Sequence, residues 1–364
     1  MDRCRWPRRH GGARDRRAAP EVNVKAVDSL WEAVLDGDEH RATGVVLDAA
    51  EELGHEVVLL DVVGAVQRRV GLEWAANRIS VAQEHSITAI NERAVTALSI
   101  TKPWREPVHG RVTVACVDGE WHALPARLLA EVLSLRGFAV DYLGAQVPAP
   151  HLITYLHRTN PDVVALSSSI ATRLPSAHAT MTACQATGVP VMVGGAAFGT
   201  DGTHARRFGA NAWAADARSA ADMLLSQTLP VPTAPHQPID DLPHLADQEY
   251  TLVKRSAGEL VRSVYRGLEE RLPAMRSYND EQRQHTAEDL AHIVEFLATA
   301  LYLDDDGLFR SFLLWTGEVL NARGVPARVL EPALDLLAAQ LRDFPRAQRM
   351  LAQAGYIITA CPRP

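Results

Sequence analysis

Cysteine is scarce in this 364-residue chain. The four present (Cys4, Cys116, Cys184 and Cys361) are scattered, with no CxxC pair. That argues against a disulfide framework or a zinc site and fits a reducing, cytoplasmic setting. No apolar run is long enough to span a bilayer. The first twenty residues lack the apolar stretch of a secretory signal. Positive charge is not in excess either: the formal net charge is −7, so the chain as a whole is not built to hold nucleic acid. Nucleophile elbows, phosphate loops and metalloprotease motifs are missing, and there is no internal repeat. No enzyme active site is expected.

What remains is an ordinary globular composition, 47% hydrophobic and 22% charged, with enough chain for two or three cores. Residues 1–21 hold seven arginines and little that packs, and read as a disordered tail. Residues 22–105 read as a helical bundle, with Gly54 near a helix end. Ser80 and Gln83 spell a capping box, so a new helix is expected to start near Val81. Glu84 and His85 then fall in or just after its first turn, and Trp74 lies before the break. In one straight helix Trp74 and His85 would stand roughly 16 Å apart at 1.5 Å per residue. A break lets the indole fold back toward the Glu-His pair.

Residues 106–228 alternate short β-branched runs with amphipathic helices. This predicts a parallel sheet covered on both faces, a Rossmann-like, flavodoxin-like α/β domain. Ligands of such sheets bind outside the carboxyl ends of the strands. The loops there are "DGEWH", "LGAQVP", "SSS" and "GGAAFG". Residues 229–245 are Pro-rich and read as a linker. Residues 246–364 are helical again, with Leu290, Ile293, Phe296, Leu297 and Leu301 on one stripe. Asp304-Asp305-Asp306 reads as a helix start, because EF-hand spacing is absent.

The chemistry concentrates at Glu120-Trp121-His122, in the loop after the first strand. A neutral imidazole there can bind a metal held above the sheet. A carboxylate two residues earlier can take the other ring N–H, which fixes the tautomer and raises ligand basicity. Three further motifs stand in register with it: Leu143-Gly144 with Val147 and Pro148, Leu166-Ser167 with Ser169 beyond, and Gly194-Gly195. Over roughly 115 residues this order and spacing resembles the cobalamin-binding domain family. The resemblance implies a base-off corrinoid with His122 as the lower cobalt ligand. It also implies that Ser167 hydrogen-bonds the buried base and that Gly194 and Gly195 let the backbone approach the nucleotide tail. One departure is that Pro125 stands where the family motif has Gly.

Trp74, nine residues, then Glu84-His85 resembles the upper-face signature of the CarH/LitR-type cobalamin photoreceptors. The resemblance implies adenosylcobalamin, with Trp74 packed over the adenosyl group and Glu84 hydrogen-bonded to it. His85 would bind cobalt from above once light has removed that group. The last domain is similar to the globin-like helical domain of the photocobilins, which adds biliverdin as a second chromophore. His292 would then serve the pyrroles, Arg310 and Arg262 the propionates, and Trp315 the chromophore wall. The family's transcriptional members begin with a winged-helix domain. Here about twenty residues precede the bundle, so direct DNA binding is not expected. A light-dependent homo-oligomer, a dimer, signalling to an unknown downstream protein is expected instead. Two other readings remain: a corrinoid methyl carrier of a methyltransferase system, and a haem or fatty-ligand sensor.

Overall fold

The computed structural model describes residues 21–101, 106–232 and 238–360. The expected Arg-rich tail up to residue 20, Cys4 and Cys361 lie outside the described residues. The chain divides into two compact units, the first ending at Pro103 and the second running Trp104–Ile358.

The first unit is helical: α1 (Glu21–Leu35), α2 (Glu39–Leu53), a short α3 (His55–Val57), a π-helical stretch (Val58–Val63), α4 (Gly64–Ala75) and α5 (Val81–Thr101). Asp38 caps α2 by accepting the N–H of Arg41 at 2.9 Å, and Gly54 at φ 84° ends it. The capping box forms as the spacing predicts. Ser80 N–H donates to Gln83 Oε1 at 2.9 Å, and Gln83 N–H donates to Ser80 Oγ at 3.2 Å. The break between α4 and α5 is therefore real. The core holds Leu30, Val34, Val46, Val62, Val66, Ile87, Val95 and Leu98. The π stretch is a departure from the regular helix expected over this region. Four of its six side chains are buried.

The second unit opens with β1 (Arg111–Cys116), α6 (Leu124–Leu135), β2 (Ala139–Gly144), α7 (Ala149–Thr159) and β3 (Val163–Ser167). It continues with α8 (Leu174–Gln185), β4 (Val191–Gly194), α9 (Thr203–Arg207), β5 (Ala212–Ala214) and α10 (Ala217–Ser226). The strands form one parallel sheet in the order β2-β1-β3-β4-β5. This is the doubly wound order the alternation predicts. Its register aligns Cys116 with Ser167, Ser167 with Gly194, and Gly194 with Ala214. One row of residues thus crosses the sheet at its carboxyl ends.

After α11 (Pro238–Asp241) come α12 (Glu249–Arg271), α13 (Asp280–Leu303), α14 (Asp306–Ala322), α15 (Glu331–Gln340) and α16 (Pro345–Ala360). They share a core that includes Val264, Ile293, Leu297, Phe309, Leu337 and Met350. The aspartate run starts a helix as expected, with Asp305 accepting the N–H of Leu308 at 3.1 Å. These helices are seated on the sheet domain through fully buried His178 of α8. Its Nδ1 lies 2.9 Å from the Tyr302 hydroxyl and its Nε2 lies 3.0 Å from Asp241 Oδ2. Phe208 stacks on the imidazole at 4.2 Å. Tyr302 and Leu303 belong to the same apolar cluster as Leu166 and Val191 of the sheet and Phe208 at the end of α9.

Arg346 of α16 grips Asp247 with two bonds, at 2.6 and 2.7 Å, and donates to Leu301 O at 2.7 Å. Its hydrogen bond holds the Asp247 carboxyl below the ordinary range. Stability from a depressed carboxyl is present above the unfolded value of about 3.9 and disappears as pH falls through the lower folded value. Asp247→Asn should therefore cost roughly 0.5–1 kcal/mol at pH 6, as expected for a partly exposed pair. The difference from wild type should narrow in thermal melts as pH falls below about 3.9, the unfolded value.

Candidate functional site

Glu120 organises the carboxyl end of the sheet. It is 1% exposed and accepts five hydrogen bonds. Oε1 takes the backbone N–H of His122 at 2.9 Å and its ring Nδ1–H at 2.6 Å. Oε2 takes Ser169 N–H at 2.6 Å, Ile170 N–H at 3.1 Å and the Ser168 hydroxyl at 3.4 Å. Burial alone would raise its pKa. The bonds from His122, Ser169 and Ile170 outweigh burial and hold the carboxyl at about 2. Such a group is a carboxylate at any working pH, so Nδ1 of His122 carries the proton. Nε2 is then the basic nitrogen, on a ring whose side chain is 54% exposed. Trp121 beside it is exposed too. Pro125 sits in the first turn of α6, where its missing N–H costs nothing, so the departure from the motif Gly leaves the helix start intact.

The other motif residues gather around this loop. Gly144 ends β2 at φ +83°. Gln146 N–H donates to Glu120 O at 3.1 Å and Val147 N–H to Cys116 O at 3.3 Å, which ties the second loop to the first. Leu143 and Val147 pack on the sheet core. Between α6 and the ends of β3 and β4 lies a slot of about 120 Å³. Pro125, Leu129, Ser167, Gly194, Gly195 and Ala217 are among the residues that line it. Its floor has no room for side chains. A Cβ on Gly195, whose φ is +100°, would stand 2.2 Å from Ser168 O, and one on Gly194 would stand 3.3 Å from Ala214 O.

The donor set fits a corrinoid. Among the described residues no group of three or more His, Cys, Asp or Glu is arranged to hold an ion alone. His122, its ring fixed by Glu120, would hold the metal of a corrinoid. The narrow apolar slot with Ser167 at its wall suits a chain ending in a flat base. Cys116 and Cys184 are not reactive thiols, since burial pushes both up to about 12.

In the first unit, Trp74 occupies the last turn of α4 and is half-buried. Glu84 is 28% exposed at its side chain and His85 78%. His85 Nδ1 lies 3.7 Å from Glu84 Oε2, and the Thr88 hydroxyl donates to Glu84 Oε1 at 3.2 Å.

The C-terminal candidates lie on α12, α13 and α14. His292 on α13, Arg262 on α12 and Arg310 on α14 are all exposed. Trp315 lines an open apolar groove of about 280 Å³, with Phe296, Leu308, Ser311 and Phe312 on one side and Ser169, Ile170 and Ala171 on the other. Phe296 and Phe312 stack at 3.8 Å. Positions 308, 311, 312 and 315 share one face of α14, so helical spacing was a usable signal for this wall. The contribution of Ile170 had no such signal.

Residues 110–224 match the family described as B12 binding domain, and residues 26–99 match a second family of the same description. The chain is 29% identical over 175 residues to the HTH-type transcriptional repressor CarH of Myxococcus xanthus, covering 47% of this chain and 57% of the relative. It is 31% identical over 187 residues to the HTH-type transcriptional repressor CarA of the same organism, covering 49% and 60%. The chain thus spans about three fifths of the length of the curated relatives it matches. A solved monomethylamine corrinoid protein of Methanosarcina barkeri aligns with 56% of this chain and 99% of its own, at 18% identity and a TM-score of 0.49.

Gly195→Ala tests the floor of the slot. The positive φ alone costs about 1–3 kcal/mol for a side-chain residue, and the contact with Ser168 O adds to it. The variant should lose at least about 2 kcal/mol in denaturant melts, and corrinoid binding should be lost with the displaced Ser168–Ser169 backbone.

Proposed function

We propose that this chain, which carries B12-binding regions at residues 26–99 and 110–224, is a light sensor holding adenosylcobalamin base-off and His-on. His122 would be the lower ligand, oriented by Glu120. The tail would enter the slot beside Ser167, Gly194 and Gly195. Bound there, the cofactor supplies a cobalt–carbon bond that light breaks, with release of the adenosyl group. The protein's part is to shield that group with Trp74, to accept hydrogen bonds from it with Glu84, and to offer His85 nearby as the later upper ligand. The change would alter packing in the bundle, and packed interiors switch rather than deform smoothly. The output would be a change in a homo-oligomer, a dimer, read by a downstream cytoplasmic protein.

The observation that favours this over a corrinoid methyl carrier is the placement of Trp74, Glu84 and His85 at the two ends of one helix break. A methyl carrier would share the sheet site but needs no cage for a nucleoside. The likeness to CarH and CarA adds to it. The apolar groove walled by Phe296, Phe312 and Trp315 supports biliverdin as a second chromophore in the last helices. His292, Arg262 and Arg310 remain the proposed partners for the bilin's polar groups.

Reconstitution in the dark with adenosylcobalamin, then green light, tests the reading. Wild type should show a shift of the corrin absorption bands on illumination and a changed elution volume. His85→Ala should abolish the final spectrum while keeping dark binding. A bound but light-inert adenosylcobalamin would replace the sensor with the methyl carrier. In parallel, added biliverdin should give a long-wavelength band that Phe312→Ala weakens at least severalfold. Absence of any such band would remove the bilin and leave the cobalamin sensor.

A further inference from the structure

We infer that Asn91, Gln67 and Thr88 form a polar rail that aims Glu84 and makes the α4–α5 hairpin selective for an upper ligand bearing hydroxyls, the chemistry of a nucleoside ribose. The inference rests on Glu84 facing that ligand.

The rail is a chain of three hydrogen bonds that all run one way. Asn91 Nδ2–H donates to Gln67 Oε1 at 3.1 Å. Gln67 Nε2–H donates to Thr88 Oγ1 at 2.8 Å. Thr88 O–H donates to Glu84 Oε1 at 3.2 Å. The direction is forced. An amide nitrogen only donates, so the Thr88 oxygen accepts from Gln67 and its single proton goes to Glu84. Chains of this kind polarise along their length. Glu84 is thereby held as an acceptor in one orientation, with Oε2 turned toward His85 at 3.7 Å. A carboxylate presented this way asks its ligand for donors. Ribose hydroxyls supply them and a methyl group does not.

Helix geometry places the parts together. Glu84, Thr88 and Asn91 stand at i, i+4 and i+7 on one face of α5. Gln67 and Trp74 stand seven apart on α4, so the middle link of the rail and the indole share a face. Asn91 is the unexpected member. It is 0% exposed, among Ile87, Ile90, Ala94 and Val95 of its own helix, and its Oδ1 has no hydrogen-bond partner. Its side-chain N–H goes to Gln67, the first link of the rail.

The test titrates the apo-protein in the dark with adenosylcobalamin and with methylcobalamin, reading Kd by absorbance, together with apo-protein melting temperatures. Thr88→Val keeps the shape and removes the proton. It should weaken adenosylcobalamin about tenfold, the effect of one hydrogen bond to a charged group, and leave methylcobalamin within about twofold. Thr88→Ser should restore the preference. Asn91→Leu should hold or raise the melting temperature while lowering the adenosyl preference. An equal loss for both cobalamins would make the rail merely structural and overturn the inference, as would an unchanged ratio in Thr88→Val. A wild type that shows no adenosyl preference would overturn the adenosyl reading itself. That failure appears in the unmutated protein, so the two are distinguishable.

Discussion

A buried carboxylate is the constraint on which the sheet domain's functional end depends. Taking an ionised Glu out of water is prohibitive unless its lone pairs are met. Glu120 meets them with five donors from two loops. Its own carbonyl accepts from Gln146 in a third loop. The loops after β1, β2 and β3 are therefore fixed to one residue, and the His122 ring is fixed with them. The arrangement needs the strand ends to lie in one row. It also needs Gly195, because only a residue without Cβ lets β4 end against the carbonyl of Ser168.

The segment Ser168–Ala171 does three things at once. It packs on Gly195, it supplies two N–H groups to Glu120, and it forms one wall of the apolar groove whose other wall is α13 and α14. The His178–Tyr302–Asp241 cluster and the stacked Phe208 hold those helices against the sheet domain. A close-packed interior transmits small displacements. The backbone beside Ile170 is the same backbone that holds Glu120 and, through it, the His122 ring.

Much of this was legible in the sequence, for physical reasons. The alternation of strand and helix periods gives the sheet. Ser80 with Gln83, Gly54, Pro125 and Asp305 act through local backbone groups, so their spacing alone places the helix ends. What was not legible acts across distance or through groups that every residue carries. Ser169 and Ile170 bind Glu120 by backbone N–H, which no side-chain motif announces. The π stretch at Val58–Val63 lies in an apolar run that reads equally as α-helix. Gln67 and Asn91 meet only because α4 and α5 form a hairpin. His292 is a different case. It is one position before Ile293, and one residue is about 100° around a helix, so the buried stripe through Leu290, Ile293 and Leu297 already turned it outward.

The two carboxylates singled out from the sequence differ in a way that assigns them different work. Glu120 is 1% exposed and its acceptor capacity is filled by its own chain. It has nothing left to give a ligand and acts as a strut, setting the tautomer and direction of His122. Glu84 is 28% exposed at its side chain. It receives one hydroxyl donor, Thr88, with the His85 ring at 3.7 Å from its other oxygen. A carboxylate can accept about four hydrogen bonds, so Glu84 keeps most of its capacity in reserve. Spending binding capacity on internal partners buys rigidity, and holding it back makes a receptor. That asymmetry was not visible in the two Glu-His motifs as strings of residues. It follows from where each backbone puts its donors: five from a folded loop pair around one carboxyl, and one, at the end of a directed chain, for the other.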